Sequence, residues 1–167
     1  MVLNFQRNDA SYSPEKREQV NRLNTKMIER VVHPYNLQKA VEQVISNKGS
    51  AGVDGIKTSQ LKTLFPKRKD QLLEAIRQGN YQPSAILGVE IPKGEGKTRL
   101  LGVPTTTDRV LQQAVSQVIA PLFEPEFSHN SFGFRPNKNA RQAVGQARDY
   151  IHQGLNHIVD IDLKNFF

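Results

Sequence analysis

The chain has 167 residues, with 23 Lys and Arg against 16 Asp and Glu for a formal net charge of +7, and it contains no cysteine or tryptophan. That length suits one domain, and 37% apolar with 23% charged residues is the balance of a soluble globular protein, which excludes collagen-like, low-complexity and wholly disordered chains. The lack of cysteine excludes disulfides, thiolate metal sites and thiol catalysis. The apolar runs are short against the ~20 residues of a membrane span and the start is polar, so the expected setting is cytoplasmic, with no membrane partner. An isoelectric point near 9.8 points to a polyanionic partner, of which nucleic acid is the commonest.

Residues 1–13 show no period. From Pro14 to Arg30 the segment is charged, with Val20, Leu23, Met27 and Ile28 at helical spacing and a proline suited to a first turn, which predicts a peripheral helix. Leu37, Ala40, Val41, Val44 and Ile45 follow the i, i+3, i+4, i+7, i+8 pattern of an amphipathic helix. The stretch from Lys48 to Gly55 then packs three glycines into eight residues and reads as a loop. A short helical turn is expected around Ser59–Phe65, with Pro66 opening a further helix that carries Leu72, Leu73 and Ile76 and closes at Gly79. Ile86–Pro92 and Thr98–Val103 flank Lys93-Gly94-Glu95-Gly96-Lys97 as a β-hairpin with a basic, glycine-rich tip. Asp108 is placed to cap a long helix with the stripe Val110, Leu111, Ala114, Val115, Val118, Ile119 and Leu122, ended by the prolines at 121 and 125. A loop with several aromatics, Phe127 to Pro136, leads to a helix at about Asn139–His152 with Ala140, Ala143, Val144, Ala147 and Ile151 facing inward. The last element, His157–Leu163, alternates like a strand, and the two phenylalanines after it read as a cut edge.

Three groups carry chemistry. Asp160 and Asp162 are two apart on the expected strand, so both carboxylates leave one face about 7 Å apart. They either share a divalent cation, with Mg²⁺ favoured by oxygen-only donors, or stand apart, one in solvent and one capping a turn. Lys93, Lys97 and Arg99 set cations around Gly94 and Gly96, which is either a phosphate clamp or a merely soluble hairpin tip. No G-x-x-x-x-G-K-[ST] occurs, which removes the Walker-type nucleotide sites. Arg135, between Phe134 and Pro136, either touches a phosphate or is fixed by Glu124 or Glu126. The scattered histidines give no hydrolytic triad.

Read together, Asn47-Lys48-Gly49-Ser50-Ala51-Gly52-Val53-Asp54-Gly55, Ile91-Pro92-Lys93, Arg99-Leu100-Leu101-Gly102-Val103-Pro104-Thr105 and Asp108-Arg109-Val110-Leu111-Gln112-Gln113-Ala114 resemble blocks of the group II intron-encoded reverse transcriptases, or maturases. Ser131-Phe132-Gly133-Phe134-Arg135-Pro136-Asn137 and Val159-Asp160-Ile161-Asp162-Leu163-Lys164-Asn165-Phe166-Phe167 are similar to later blocks of the same family. The resemblance implies an α+β fold: helical fingers with an antiparallel β-hairpin, and the first strand of an incomplete right-hand polymerase palm sheet. It implies residues 1–33 as an N-terminal extension, 34–156 as fingers and 157–167 as the start of the palm. By the same resemblance Asp162 is the catalytic metal-binding carboxylate, with the Leu163 carbonyl a further Mg²⁺ ligand. Lys93 and Arg99 would hold the triphosphate of the incoming nucleotide, and Phe167 would stack under its sugar. Lys48, Arg109 and Arg135 are candidate contacts to nucleic acid. The implied partners are RNA template and intron RNA, a DNA primer and deoxynucleoside triphosphates, with self-association through the unpaired palm edge.

The sequence departs from that family in having no Tyr-Ala-Asp-Asp or similar paired-aspartate block among its 167 residues. The expected role is therefore the N-terminal part of an RNA-directed DNA polymerase, inactive alone. Two rivals from other classes are an RNA-binding module without catalysis and a small metal-dependent phosphodiesterase built on Asp160 and Asp162.

Overall fold

The computed structural model describes residues 14–94 and 96–163. They form five α-helices and one two-stranded antiparallel sheet, so the α+β expectation holds. The elements are α1 (Pro14–Val31), α2 (Pro34–Ser46), α3 (Leu61–Arg77), β1 (Leu87–Gly94), β2 (Lys97–Val103), α4 (Thr106–Phe123) and α5 (Ala140–His152). Short 3-10 turns, Thr58–Gln60 and Glu124–Glu126, precede α3 and follow α4. No helix among the described residues is long and apolar enough to cross a membrane. The chain divides into two compact units, Met1–Pro121 and Leu122–Phe167.

In the first unit the helical stripes meet in one core. Leu37, Ala40 and Val44 of α2, Leu61, Phe65 and Leu73 of α3, and Val110, Leu111 and Ala114 of α4 are buried together with Val32 from the α1–α2 junction. Two amides fasten α2 to its neighbours across the edge of this core. Asn36 donates from Nδ2 to the carbonyls of Val31 and Ala114, at 2.8 and 3.0 Å, and accepts at Oδ1 from Gln117 Nε2 at 2.7 Å. Of α1, the side chains of Val20 and Leu23 lie outside the described residues.

Two prolines behave otherwise than expected. Pro66 does not open a helix but lies inside α3, and Pro121 lies inside α4 rather than ending it. An interior proline costs a helix about 3 kcal/mol. Leu61 and Phe65 before Pro66 and Leu73 after it are all buried, at about 1.5–3 kcal/mol each, so both halves of α3 are tied to the same core and the cost is outweighed. Past α3, Gly79 (φ +72°) is the left-handed residue of a Schellman stop, with Asn80 N donating to the Ala75 carbonyl and Gly79 N to that of Ile76.

The glycine-rich loop between α2 and the 3-10 turn uses its glycines in two ways. Gly55 takes a left-handed backbone (φ +67°) with open space around it. Gly52 is buried against the chain entering α4: a Cβ there would lie 2.8 Å from the backbone N and Cα of Thr105. The first is a torsional demand, the second a steric one.

The second unit contains α5 and irregular chain. Asn139 accepts at its side chain from Gln142 N, and Gln142 Oε1 accepts in return from Asn139 N, a capping box that starts α5 where the sequence places it. Two expectations fail here. No residue of α5 is buried, and Val144 and Ile151 are exposed rather than inward. Residues 157–163 form no strand, and each is exposed. A strand exists only against a ladder partner, and among the described residues β1 and β2 pair with each other alone.

These placements set a ranking for alanine at the glycines. Gly52→Ala should lower stability by about 2–3 kcal/mol, because backbone must move, whereas Gly55→Ala should lose only about 1 kcal/mol from its left-handed torsion. Thermal denaturation of the two variants checks the order.

Candidate functional site

The hairpin pairs Leu87 with Val103, Val89 with Leu101, Ile91 with Arg99 and Pro92 with Thr98, and then the register slips so that Gly94 faces Lys97. Lys93 is the extra residue of that bulge. Paired residues share a face, so Arg99 stands on the face of Val89, Ile91 and Leu101. The tip is shaped by Gly94 and Gly96, at φ +92° and +72°. Lys93 and Arg99 are both exposed, and neither makes an ion pair among the described residues. They are uncompensated cations on the two arms of one hairpin.

The base of the hairpin is held by a buried carboxylate. Asp108 is not the cap of α4 but its third residue; the cap is Thr105, whose Oγ1 accepts from Asp108 N at 3.2 Å. The Asp108 carboxylate accepts from Thr105 Oγ1 at 2.5 Å, from Ser84 N at 3.3 Å and from the Tyr81 hydroxyl. Ser84 lies just before β1 and Thr105 just after β2, so one carboxylate fixes both ends of the hairpin. Burial first, then the hydrogen bond to Asp108 and its charge, push the Tyr81 phenol far above its ordinary 10.0. Sequence reasoning missed this anchor, although Thr105-x-x-Asp108 is the spacing of a capping box.

In the glycine-rich loop Lys48 is exposed, in a left-handed conformation (φ +50°), its backbone N donates to the Ile45 carbonyl at 3.1 Å, and its side chain makes no hydrogen bond or ion pair among the described residues. Arg109 lies on the opposite wall, donating from Nη2 to the Ser50 carbonyl, with its Nε buried and unpartnered. A side chain at Gly49 would collide with its guanidinium, so Arg109 braces the loop.

Arg135, in the second unit, is spent in full. Its Nε and Nη2 donate to Glu124 Oε1 at 3.0 and 2.8 Å, Nη2 also reaches the Glu124 carbonyl, and Nη1 donates to the carbonyls of Ser128 and Ser131. A guanidinium has five N–H groups, and these are five bonds. Of the two uses left open by the sequence, the one seen is fixation by Glu124. Around this hub the loop turns outward at Phe134, which is wholly exposed at φ +55°.

Asp160, Asp162 and Leu163 are exposed in the irregular segment after α5, and Asp162 Oδ1 accepts from Leu163 N at 2.9 Å. No three His, Cys, Asp or Glu side chains gather as a metal site among the described residues. Phe167 lies outside the described residues. Lys93 and Arg99 thus belong to the first unit, and Asp160 and Asp162 to the second.

Comparison with known proteins bears directly on these residues. The family model for reverse transcriptase (RNA-dependent DNA polymerase) matches residues 91–167, a stretch that contains Lys93, Arg99, Arg135 and Asp162. The group II intron-encoded protein LtrA of Lactococcus lactis subsp. cremoris is 27% identical over 156 residues, 93% of this chain and 26% of its own length. From Ile91 onward the chain thus matches the reverse transcriptase family, and over most of its length it is similar to a group II intron-encoded protein. Protein YkfC of Escherichia coli (strain K12) is 30% identical over 148 residues, covering 85% of this chain and 39% of that protein. The chain therefore spans less than two fifths of the length of these two relatives.

The two anchors, Asp108 and Arg135, can be tested separately. Tyr81→Phe should cost about 1–3 kcal/mol at neutral pH by leaving the Asp108 carboxylate a donor short. The folded phenol keeps its proton where an unfolded one at 10.0 would lose it, so wild-type stability should fall as pH rises past 10, and fall less in Y81F; urea melts at pH 8 and 11 compare them. At the other anchor, Arg135→Lys should loosen the 127–138 loop as much as Arg135→Ala, raising amide exchange there roughly tenfold or more, because three donors on one nitrogen cannot replace a planar five-donor fork.

Proposed function

We propose that this chain supplies the fingers and the first palm residues of an RNA-directed DNA polymerase that copies intron RNA into DNA and assists splicing. The observation that carries the reading is a pair of cations without ion-pair partners among the described residues, Lys93 in the bulge and Arg99 across the hairpin, inside the stretch that matches the reverse transcriptase family. Phosphoryl transfer needs cations on the triphosphate of the incoming nucleotide, and the glycine-shaped tip lets a phosphate approach the backbone closely. Rigid suspension of the hairpin from Asp108 supports that role, since a clamp must hold its charges at fixed separation.

The residues for the metal are Asp162, the Leu163 carbonyl and Asp160. These donors are all oxygen, and the two carboxylates are exposed without ion-pair partners among the described residues, which fits a hard cation such as Mg²⁺. Bound there, Mg²⁺ would offset the charge that develops on the transferring phosphoryl group. The family resemblance adds a paired-aspartate block that this sequence lacks, so in this reading the carboxylates of that block, together with water and substrate phosphate, would complete the metal site. Phe167 is proposed to stack under the nucleotide sugar. RNA template, DNA primer and deoxynucleoside triphosphates are the substrates in this reading. The apolar side chains exposed along α5 and residues 155–163 support association with a further protein surface, a second copy of the chain among them.

A chimera tests the proposal: this chain replaces the segment of LtrA to which it is similar, and primer extension is measured on an RNA template. Lys93→Ala with Arg99→Ala should raise the KM for deoxynucleotides about tenfold or more, and Asp162→Ala should abolish extension. Extension by the chimera that is indifferent to Asp162→Ala would overturn the assignment.

A further inference from the structure

The first unit carries a second polar feature, between α2 and α4, which shares only Arg109 with the candidate residues. Between α2 and α4 run two adjoining clefts of about 300 and 610 Å³ that share Gln113 as a wall. Their lining is dominated by side-chain amides: Asn36, Gln43 and Asn47 from the α2 side, Gln112, Gln113 and Gln117 from α4. Arg109 lines the end nearest the glycine-rich loop, and Lys39 and Tyr35 line the other. The single carboxylate of the lining, Glu42, accepts from Gln38 at 3.0 Å.

The amides are ordered before any ligand arrives. Gln43 donates to Asn47 at 2.9 Å, Gln113 to Gln117 at 3.3 Å, and Gln117 to Asn36 at 2.7 Å, while Asn36 is itself bonded to two backbone carbonyls. Surface helices that need only solubility carry Lys and Glu; a wall of paired amides presents donors and acceptors side by side at fixed positions. A ribose 2′-hydroxyl, both donor and acceptor, is complementary to such a wall, and base edges offer the same mixture. Phosphates then require cations at intervals, which the two ends provide. Tyr35, 64% exposed, adds a ring of the kind on which an unpaired base stacks. From Asn36 to Asn47 the cleft follows α2 for about 16 Å, room for a short run of nucleotides.

We propose that the cleft between α2 and α4 binds a single-stranded segment of RNA, its phosphates on Arg109 and Lys39 and its riboses on the amides between them. This rests on the reading of the chain as an RNA-handling protein, and adds a site that shares no lining residue with the nucleotide clamp or the acidic segment.

The test is fluorescence anisotropy of the full chain with a 5′-labelled, unstructured 15-nucleotide RNA and with the DNA of the same sequence. Gln113→Glu, nearly isosteric, should weaken RNA binding about tenfold, and Lys39→Gln should weaken it while reducing the salt slope by about one. Lys67→Gln, the same charge change on the exposed face of α3, should leave affinity within twofold, and the DNA should bind several-fold more weakly. Circular dichroism melts confirm that Gln113→Glu and Lys39→Gln fold. RNA binding that ignores both cleft variants, losses equal to that of Lys67→Gln, or equal affinity for the DNA would overturn the cleft while leaving the polymerase reading in place. Failure of the wild-type chain to bind RNA at all would overturn both.

Discussion

The arrangement of the first unit depends on a buried carboxylate. Asp108 receives donors from Tyr81 and Ser84 on the segment that leads into the hairpin and from Thr105 on the segment that leaves it. A buried charge is costly unless its lone pairs are filled, and here the filling groups come from three points of the chain. Satisfying one carboxylate therefore dictates where the hairpin starts, where it ends and where α4 begins. Gly52 packs against the backbone of the same Thr105, so the glycine-rich loop is registered to the same point. Hairpin, loop and helix, which carry Lys93, Arg99, Lys48 and Arg109 between them, are positioned by one junction.

The cations divide according to their chemistry. Arg135 places all five donors on oxygens of its own loop, and Arg109 reaches a backbone carbonyl of the glycine-rich loop. A planar fork of donors suits that work, because carbonyls ending separate turns converge on it at fixed angles. Lys48 and Lys93 are exposed, and their side chains make no hydrogen bond or ion pair among the described residues. In sequence all four are basic residues, Lys48 and Lys93 each directly before a glycine, and nothing local separates a brace from a free side chain. The distinction arises from which carbonyls the tertiary fold leaves facing inward, and that is settled only when the loop closes.

Much of the fold was legible where a pattern reports on a single element and its own solvent boundary. The α2 stripe from Leu37 to Ile45, the hairpin flanking Gly94 and Gly96, and the Asn139 start of α5 each follow from side-chain period or cap chemistry that the element contains within itself. The prolines were misread because propensity is local while the burial of Leu61, Phe65 and Leu73 is not. The inward face of α5 and the strand at 157–163 failed for the opposite reason. Amphipathic spacing says that a face can be covered, and alternation says that a strand can pair, yet both require a second surface that the residue pattern does not supply. For the candidate site, the basic hairpin was visible as a cluster of charge and glycine, whereas the Asp108 anchor required knowing that residues 81, 84 and 105 meet.

Exposure follows from the same logic and tells the two faces of the hairpin apart. Leu100 is 74% exposed on the face it shares with Gly88 and Gly102, whereas Val89 and Leu101, beside Arg99, are about 40% exposed. Two glycines on the Leu100 face leave little side chain for anything to pack against, and Leu100 covers Gly88 at 3.2 Å from where a Cβ would stand. The Arg99 face instead offers a guanidinium at the end of a short apolar ridge made by Val89, Ile91 and Leu101. A ligand with a flat apolar part and a charged tail is matched by that order of groups, apolar toward the base of the hairpin and cationic toward its tip. A nucleoside triphosphate has that build, so the strand register, and not the count of basic residues, is what supports the proposed role of the hairpin.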